Sequence, residues 1–589
     1  MIEEKYKWNL EDIFKDMNEF EETKKSMEED LNKIEEFKGI LCENSDNLYN
    51  AYSIYEKALE KLEKLYAYGM LKYNLDMSNQ ESIKLYKQVE SLETLFSTKT
   101  SFMTPEITYQ DANKIKGFLK ENENLQRYKR DIEDILEEKE HTLSKEAEEL
   151  LANYSEIFSA PENTFDILTN AEFKFGNLID ENGKEIELTE SNYTLYLKSQ
   201  NEDVRKQAFN LMYLQYSKFV NTITELYLTN VKASSVTAKL RNYKSSLERA
   251  VKQDDASIKV YDSLIESIHE GLKVNHEFID LKKKILNKQD FHMYDLYVNP
   301  FETEKDEITF EEARKEVEEA LSIMGEEYLN RLREAFDNRW VDVFATPNKK
   351  GGAYSMGVYG VHPYVLLNFV NSKRDVSTIA HELGHSMHSY YSSENQTIID
   401  ANYTIMTAEV ASTVNEILLS NYQINKEKDK TKKAEIIYEL LEMIRATLFR
   451  QAMFAEFEKI VHEKIENNET LSSEDLNKIY YGLNKDYFGN NMIVDENIKY
   501  EWARIPHFYT DFYVYKYATG VSAAISIASK IIKQGEPFVK RYIEMLKQGC
   551  SKKSIDLLKM VDVDLEGKEV YKDAIDFYHE KMEELKKLI

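Results

Sequence analysis

Apolar residues recur at three- and four-residue spacing, separated by charged residues, along most of the chain. This spacing places the apolar side chains on one face of an α-helix. The segments in which the pattern is clearest are 16–38, 46–98, 130–158, 200–240 and 433–466. The pattern predicts a mainly helical protein in which long amphipathic helices are joined by short connections.

Two short regions depart from the helical spacing. Residues 171–190 place β-forming residues on both sides of Asn182-Gly183, a dipeptide typical of a tight turn, and predict a hairpin. Residues 340–370 alternate glycines with β-branched and aromatic residues, and predict strands. A small sheet is therefore expected directly before the helical segment that follows residue 375.

That helical segment contains the motif His381-Glu382-Leu383-Gly384-His385. Histidines four apart lie one turn apart on a helix, so both imidazoles can reach one metal ion, with the glutamate roughly a quarter-turn away. This is the HExxH pattern of zinc peptidases, in which the glutamate is the general base toward a zinc-activated water. The alternative is a buried helix whose histidines are satisfied by hydrogen bonds. A glycine inside the motif suggests the close approach of a neighbouring backbone.

A third metal ligand is needed, and the sequence offers His388 and Glu409. His388 is seven residues from His381, about 10 Å along a helix axis, so one straight helix does not easily bring both to one ion. Glu409 opens a second segment of small and apolar residues, on which Glu416 follows two turns later on the same face. Geometry therefore favours Glu409 as the ligand and Glu416 as the residue that orients a histidine ligand. The alternative for Glu416 is a solvated charge.

These residues resemble the oligoendopeptidase F branch of the thimet oligopeptidase family. The stretches that carry the resemblance are 6–13, 293–297, 351–355, 362–364, 381–388, 408–413, 508–509 and 517–520. The resemblance spans nearly the whole chain and implies that His381, His385 and Glu409 bind one zinc ion, with Glu382 as general base. Members of the family are sometimes assigned the next histidine as a ligand, but helical reach predicts that His388 lies outside the ligand set, in packing or in support of a ligand. The resemblance also implies two helical lobes that enclose a deep substrate channel.

Candidates for stabilising the transition state lie in residues 504–517. Tyrosines at 509, 513 and 517 recur every four residues after His507, and would line one face of a helix. An aromatic stripe at this spacing is also typical of a helix core. The family resemblance implies that His507, Tyr509 and Tyr513 hold the scissile carbonyl, although the spacing of the last tyrosines departs from the wider group.

The predicted strands of 350–370 offer a place for the substrate backbone. An exposed sheet edge can pair with an extended peptide without reading its side chains. Gly351, Gly352 and Tyr354 are the candidate substrate-binding residues of this region. The alternative is a small sheet that only braces the metal-binding helix, and the resemblance favours the substrate strand.

Charge and composition exclude other classes. A net charge of −29 argues against a nucleic-acid partner, since phosphates would be repelled. No run of eighteen apolar residues occurs and the chain opens without a signal-like segment, so neither a membrane partner nor secretion is expected. Cys42 and Cys550 form no CxxC pair, which fits a reducing compartment. A cytoplasmic monomer is expected.

The domain organisation is expected to comprise an N-terminal helical region, 1–195, and a catalytic metallopeptidase region, 196–589. The function expected is a zinc-dependent endopeptidase that hydrolyses internal bonds of short oligopeptides. Two alternatives remain open. One is an exopeptidase of the dipeptidyl carboxypeptidase type, and the other is a helical peptide-binding protein that has lost activity.

Overall fold

The computed structural model describes residues 2–301 and 307–589, and most of them lie in α-helices, as the apolar spacing predicts. In chain order the helices are α1 (Met17–Glu35), α2 (Ser45–Leu75), α3 (Gln80–Thr100), α4 (Met103–Thr108), α5 (Ala112–Glu121), α6 (Lys129–Glu137), α7 (Lys145–Asn153), α8 (Ser155–Phe158), α9 (Ala160–Asp166), α10 (Glu190–Leu197), α11 (Glu202–Leu240), α12 (Ser246–Gln253), α13 (Ile258–Ile285), α14 (Phe310–Leu321), α15 (Gly325–Asp337), α16 (Lys373–Asn395), α17 (Ile398–Ala401), α18 (Ile405–Lys426), α19 (Lys430–Ile444), α20 (Arg450–Glu466), α21 (Ser473–Phe488), α22 (Tyr515–Gln534), α23 (Glu536–Leu546), α24 (Ser554–Lys559) and α25 (Glu569–Lys586).

The strands lie in the two regions where the helical spacing fails. They are β1 (Asn177–Ile179), β2 (Glu185–Glu187), β3 (Val341–Phe344), β4 (Tyr354–Met356) and β5 (Tyr364–Phe369). β1 and β2 pair antiparallel across a turn in which Gly183 has a φ of +78°, so the predicted hairpin is confirmed. The other three form a mixed sheet in the order β3-β5-β4, which leaves β4 at an edge.

Two long predicted helices are each divided in the structure. Residues 46–98 form α2 and α3, because the side chain of Asn79 accepts hydrogen bonds from the backbone of Glu81 and Ser82 and starts a new helix. Residues 433–466 are divided between α19 and α20 by a π-helical turn, Arg445–Phe449. Apolar spacing continues across both breaks, which is why it does not mark them.

The chain divides into two compact units, each made of separate chain segments. The first contains the described residues of Met1–Thr142, Lys305–Tyr422 and Ile527–Val563, and the second those of Leu143–Glu304, Gln423–Ser526 and Asp564–Ile589. The functional division expected near residue 195 and the substrate channel both stay predictions.

In the first unit, helices α1 to α3 pack together over a continuous apolar core. Trp8 joins this core and donates its indole N–H to the Val365 carbonyl in β5, so the N-terminal segment is fixed to the sheet. Helix α16 packs on the same sheet, against β4 and β5. The sheet therefore supports α16, the helix that carries the HExxH motif.

In the second unit, the long helix α11 packs along α9, α10 and α20. Its core is aromatic, and the rings of Tyr227 and Phe457 pack against those of Trp502 and Phe508. Among the described residues of both units, no helix has the length and apolar content required to cross a bilayer.

Candidate metal centre

Helix α16 begins with a capping box that fixes its start at Lys373, eight residues before the HExxH motif. Asp375 accepts hydrogen bonds from the backbone of Ser372 and Val370, which satisfies donors at the helix start. Val376, Ile379 and other apolar residues bury one face of the helix. The remaining face presents His381 and His385, whose side chains are 28% and 18% exposed, so both are within reach of a ligand and shielded from bulk water.

Helices α16 and α18 approach closely at Gly384. A Cβ atom there would lie 2.5 Å from the Cα of Ser412 and 2.7 Å from the Ala411 carbonyl oxygen, so any larger residue would push the helices apart. This is the close backbone approach that the glycine in the motif suggests.

A second contact between the two helices is made by Asn415. The amide of Asn415 donates to the carbonyl of Ala380 at 3.0 Å and accepts from the hydroxyl of Tyr328 at 3.0 Å. Asn415 is fully buried, and Ala380, whose carbonyl accepts its hydrogen bond, is the residue immediately before His381. This hydrogen bond and the glycine contact together set the separation of the helices.

His381, His385 and Glu409 converge on one point. Their ligand atoms all lie within 4.8 Å of one another, and this is the one such group of three or more found in the described part of the chain. The two Nε2 atoms are 3.3 Å apart, and a carboxylate oxygen of Glu409 lies 3.8 Å and 4.0 Å from them. Two imidazole nitrogens and one carboxylate are a donor set typical of catalytic zinc, which leaves a coordination position for water. The three residues therefore fit a metal ion.

Electrostatics also favours a cation at this point. Burial acts to lower the pKa of His381, but its hydrogen bond to Glu416 and the nearby carboxylates raise that pKa to about 9. Burial lowers the pKa of His385 to about 3, with His381 adding to the shift. With no metal bound, His381 therefore carries a second proton near neutral pH whereas His385 is neutral, and a metal on Nε2 of His381 would displace that second proton.

Glu416 holds His381 from the side away from the metal position. Its carboxylate lies 3.2 Å from Nδ1 of His381, and its other oxygen accepts a hydrogen bond from Ser377 at 3.0 Å. A carboxylate on Nδ1 keeps the proton on that nitrogen and directs Nε2 toward the ion. Glu416 is thus engaged with a candidate ligand, as expected from its place two turns after Glu409.

Glu382 is buried beside the three candidate ligands but does not join their group. Burial raises its pKa to about 7, the charge of His381 acts in the opposite sense, and Glu409 adds to the rise. A hydrogen bond from the backbone of Ser355 in β4 also favours the carboxylate. The general-base candidate is therefore in contact with the edge strand of the sheet.

His388 turns away from the candidate metal position. It is 1% exposed, and its ring stacks on Tyr403 with 3.7 Å between ring centroids. Burial lowers its pKa to about 3, so it is neutral at ordinary pH. The hydroxyl of Tyr403 bonds Ser389 at 2.8 Å and lies 3.4 Å from the His385 carbonyl. His388 therefore packs against Tyr403, beside the turn of α16 that carries His385, as helical reach predicts.

The candidate substrate residues lie at the edge of the sheet. The side chain of Asn368 donates to the carbonyls of Lys350 and Gly352 at 2.9 Å and 2.7 Å, which fixes the glycine turn onto β5. Gly351 is exposed, whereas the ring of Tyr354 packs near Trp8. The hydroxyl of Tyr354 accepts a hydrogen bond from Asn74 at 2.7 Å. The backbone of this edge is thus more accessible than the tyrosine side chain.

His507, Tyr509 and Tyr513 lie in the second unit. Pro506–Tyr509 form a 3₁₀ turn and α22 begins only at Tyr515, so the prediction that the tyrosines share one helical face is wrong. Tyr509 is buried and stacks on Phe165 with 4.7 Å between centroids.

His507 is exposed and stacks with Tyr513 at 5.8 Å. Partial burial lowers its pKa, and Arg450 lowers it further, so the imidazole is neutral at ordinary pH. It is therefore available as a neutral hydrogen-bond donor on the surface of its unit.

Sequence reasoning missed several residues that hold the site. Ser355, Ser377, Tyr403 and Asn415 each contact a candidate functional residue or the backbone next to one. Small hydroxyl and amide side chains occur throughout the chain, so their type gives no signal. Asn415 alone had a local cue, because it directly precedes Glu416 on the same helix.

Comparison with known proteins identifies the family. Residues 195–577 match the model of peptidase family M3, and residues 106–175 match the model of oligopeptidase F. The chain belongs to peptidase family M3. The resemblance to oligoendopeptidase F is thereby confirmed, and so is the expectation of a metallopeptidase.

Relatives of this M3 peptidase match over the full chain. It is 39% identical to oligopeptidase PepF of Bacillus subtilis, over 99% of this chain and 87% of that protein. It is 36% identical to an oligoendopeptidase F homolog of Borreliella burgdorferi, over 100% of this chain and 99% of that protein. The crystal structure of oligoendopeptidase-F from Enterococcus faecium superposes with a TM-score of 0.74 at 32% identity, over 97% of this chain and 99% of that chain.

Proposed function

We propose that this M3 peptidase is a zinc-dependent endopeptidase that hydrolyses internal bonds of short oligopeptides. The observation that carries the proposal is the convergence of His381, His385 and Glu409, with Glu382 buried beside them. The names of the relatives, oligopeptidase PepF and oligoendopeptidase F, support oligopeptides as the substrate class.

Nε2 of His381, Nε2 of His385 and the carboxylate of Glu409 would hold the zinc ion. When bound, zinc supplies a Lewis acid that polarises the scissile carbonyl and lowers the pKa of water at the site. Glu416 and Ser377 keep Nδ1 of His381 protonated and its ring fixed, so that Nε2 keeps its lone pair for the ion.

Glu382 moves the proton. Its carboxylate accepts a proton from the attacking water as the water oxygen adds to the carbonyl carbon, and then returns that proton to the amide nitrogen as the C–N bond breaks. The products are a carboxylate and an amine. A pKa of about 7 suits this role, because the group both accepts and releases a proton near neutral pH.

The carbonyl oxygen needs donors as negative charge develops on it. We assign this role to His507, with Tyr509 and Tyr513 as further candidates, on the strength of the family resemblance. His507 suits the role because it is exposed and neutral. Tyr509 has a buried hydroxyl that finds no hydrogen-bond partner among the described residues.

The substrate backbone is proposed to pair with the free edge of β4. The edge position of β4 and the contact between Ser355 and Glu382 support this role, because a peptide held there lies near the general base. Backbone pairing does not read side chains, so broad sequence specificity is expected. Gly351 and Gly352 supply a turn without side chains beside that edge.

Replacing Glu382 with Gln tests the proposal. The variant should keep stoichiometric zinc by elemental analysis and lose hydrolysis of a quenched peptide, because the amide cannot accept the proton. Glu394→Gln is the matched control, since Glu394 lies exposed on the same helix, α16. Full activity in the Glu382 variant would overturn the assignment.

Mass spectrometry of the products from one nonapeptide fixes the position of the cut. Internal cleavage is expected, whereas sequential release of C-terminal dipeptides would identify an exopeptidase instead. A series of longer peptides and one folded protein then tests the substrate channel. Turnover should fall with length and be absent for the folded protein.

A further inference from the structure

The loop that carries His507 contains a strained residue. We define the His507 loop as Pro506–Val514, which comprises the 3₁₀ turn Pro506–Tyr509 and the residues that lead to α22. Phe512 has a φ of +52°, in the left-handed region that bulky residues rarely adopt. Such a conformation persists only where the surrounding contacts impose it. The contacts of Phe512 therefore determine the path of the loop.

The contact that imposes it comes from Glu458, in helix α20. Phe512 donates its backbone N–H to the Oε1 atom of Glu458 at 2.6 Å, and Glu458 is fully buried. The ring of Phe512 is held as well: it packs at a tilt against His462, one turn further along α20, with 4.4 Å between ring centroids, and edge-on to Tyr261 at 5.7 Å. Helix α20 therefore contacts both the backbone and the side chain of the strained residue.

Burying Glu458 costs free energy, because the carboxyl loses its contact with water. Its Oε2 atom has no hydrogen-bond partner among the described residues. Burial raises its pKa well above the usual range, and repulsion from Asp511 adds to the rise, while the Phe512 N–H acts in the opposite sense. Burial therefore favours the neutral form of this carboxyl. An apolar side chain would fill this position at lower cost, so a carboxyl there needs a reason other than core packing.

Besides the buried packing of Phe508 and Tyr509, the loop has two polar side-chain contacts that are less buried than the one from Glu458. Asn230 donates to the carbonyl of Tyr509 at 3.2 Å, and Arg249 lies 3.5 Å from Asp511, each with partly exposed groups. Neither contact acts on the strained residue. Phe512 lies three residues after Tyr509 and directly before Tyr513, so a change in its φ would redirect the chain on both sides.

We propose that Glu458 is a positioning residue for His507, the proposed donor to the scissile carbonyl, because Glu458 holds the His507 loop in its strained conformation. This inference rests on the proposed function, because it assumes that His507 is a donor to that carbonyl. Glu458 does not touch the substrate. It acts through the Phe512 N–H.

Glu458→Leu removes the acceptor of the Phe512 N–H while keeping a similar side-chain volume. Glu458→Gln keeps an acceptor oxygen at that position. The leucine variant should lose up to about 100-fold in kcat, the cost of a misplacement of about 1 Å. KM and zinc content should stay near wild type, because the candidate ligands lie in the first unit. The glutamine variant should recover most of kcat. If the leucine variant does not fold, Glu458→Met is assayed instead.

Hydrogen exchange separates positioning from general destabilisation. In Glu458→Leu, peptides covering 506–514 should take up deuterium faster, while peptides from α16 should be unchanged. Asp295→Asn is the matched control, because Asp295 is a fully buried carboxylate of the same unit that pairs with Arg205 away from the loop. This control should lower the melting temperature and keep kcat at temperatures where it is folded.

Assaying His507→Phe in parallel separates a failure of the Glu458 inference from a failure of the proposed function. Loss of kcat in His507→Phe with wild-type kcat in Glu458→Leu would overturn the role of Glu458 and leave the proposed function standing. Wild-type kcat in His507→Phe would overturn both. Equal losses of kcat in Glu458→Leu and Asp295→Asn would show a general effect of stability and would also overturn the inference.

Discussion

The metal centre and the His507 loop both hold polar side chains in place, but they do so with different local structure. The candidate ligands come from two regular helices, and their spacing follows from helical geometry and from a glycine at the helix contact. His507 lies on a short 3₁₀ turn that is followed by a residue of left-handed φ. Regular hydrogen bonds determine the first arrangement, and the second depends on one buried side chain, Glu458, which lies 54 residues before Phe512 along the chain.

This difference decides which region tolerates change. In a helix, each side chain direction is fixed by the backbone ladder, so removing one neighbour leaves the others in place. The loop lacks the regular backbone hydrogen bonds of a helix, so the direction of the His507 side chain depends on contacts made at other residues. We therefore expect substitutions in the metal centre to act mainly on metal affinity, and substitutions in the loop to act mainly on kcat.

Glu409→Gln should have the largest effect on metal binding. Removing the charged oxygen leaves two neutral imidazoles, so zinc affinity should fall by more than about 100-fold, beyond the range for groups that only support a ligand. Isothermal titration with zinc, with peptide hydrolysis measured on the same preparation, gives both quantities. Glu427→Gln, near the same helix but outside the site, is the control. Unchanged zinc affinity in the Glu409 variant would exclude Glu409 as a ligand.

His507→Phe should have the largest effect among substitutions in the His507 loop, and it should leave the metal in place. Loss of one oxyanion donor costs about 10²–10³ in kcat. Zinc content should be unchanged, because His507 and the candidate ligands lie in different units. Steady-state kinetics with elemental analysis checks both statements. Loss of zinc from this variant would contradict the separation of roles between the two regions.

Glu416→Gln should have an intermediate effect. The amide keeps an oxygen near Nδ1 of His381 but removes the charge that orients the imidazole, so zinc affinity should fall by about 10- to 100-fold. Competition with a chelator of known affinity measures this change. Ser377→Ala removes only the hydrogen bond to Glu416, so its zinc affinity should fall by less than that of Glu416→Gln. A larger loss of zinc affinity in Ser377→Ala than in Glu416→Gln would contradict the proposal that Ser377 supports His381 only through Glu416.

Most of the fold follows from apolar spacing, because the long helices bury one face each. Helix α11 matches its predicted segment of 200–240 closely, whereas the break between α2 and α3 does not show in the spacing. That break depends on a side-chain cap at Asn79, which is a local hydrogen bond and not a periodic feature. Spacing therefore predicts the helices better than their ends.

The candidate site divides in the same way. The spacing of His381 and His385 on one helix, and of Glu409 and Glu416 on another, is predictable because residues per turn set it. The stripe of tyrosines after His507 assumes a helix, and the structure has a turn there, so Tyr509 packs on Phe165 instead of facing the same way as Tyr513. The contact that bends the chain, from Glu458, is distant in sequence and leaves no local pattern.

His388→Phe should have the smallest effect and distinguishes packing from ligation most directly. Phenylalanine can keep the stack on Tyr403, and no hydrogen bond of the His388 Nδ1 atom to a described residue is lost. Zinc affinity and kcat should therefore change by no more than about threefold, as for a volume-conserving change in a core. His388→Ala should lower the melting temperature, because it removes the stacked ring. If His388→Phe lost zinc as Glu409→Gln does, His388 would be a ligand and α16 would have to bend to bring it to the ion.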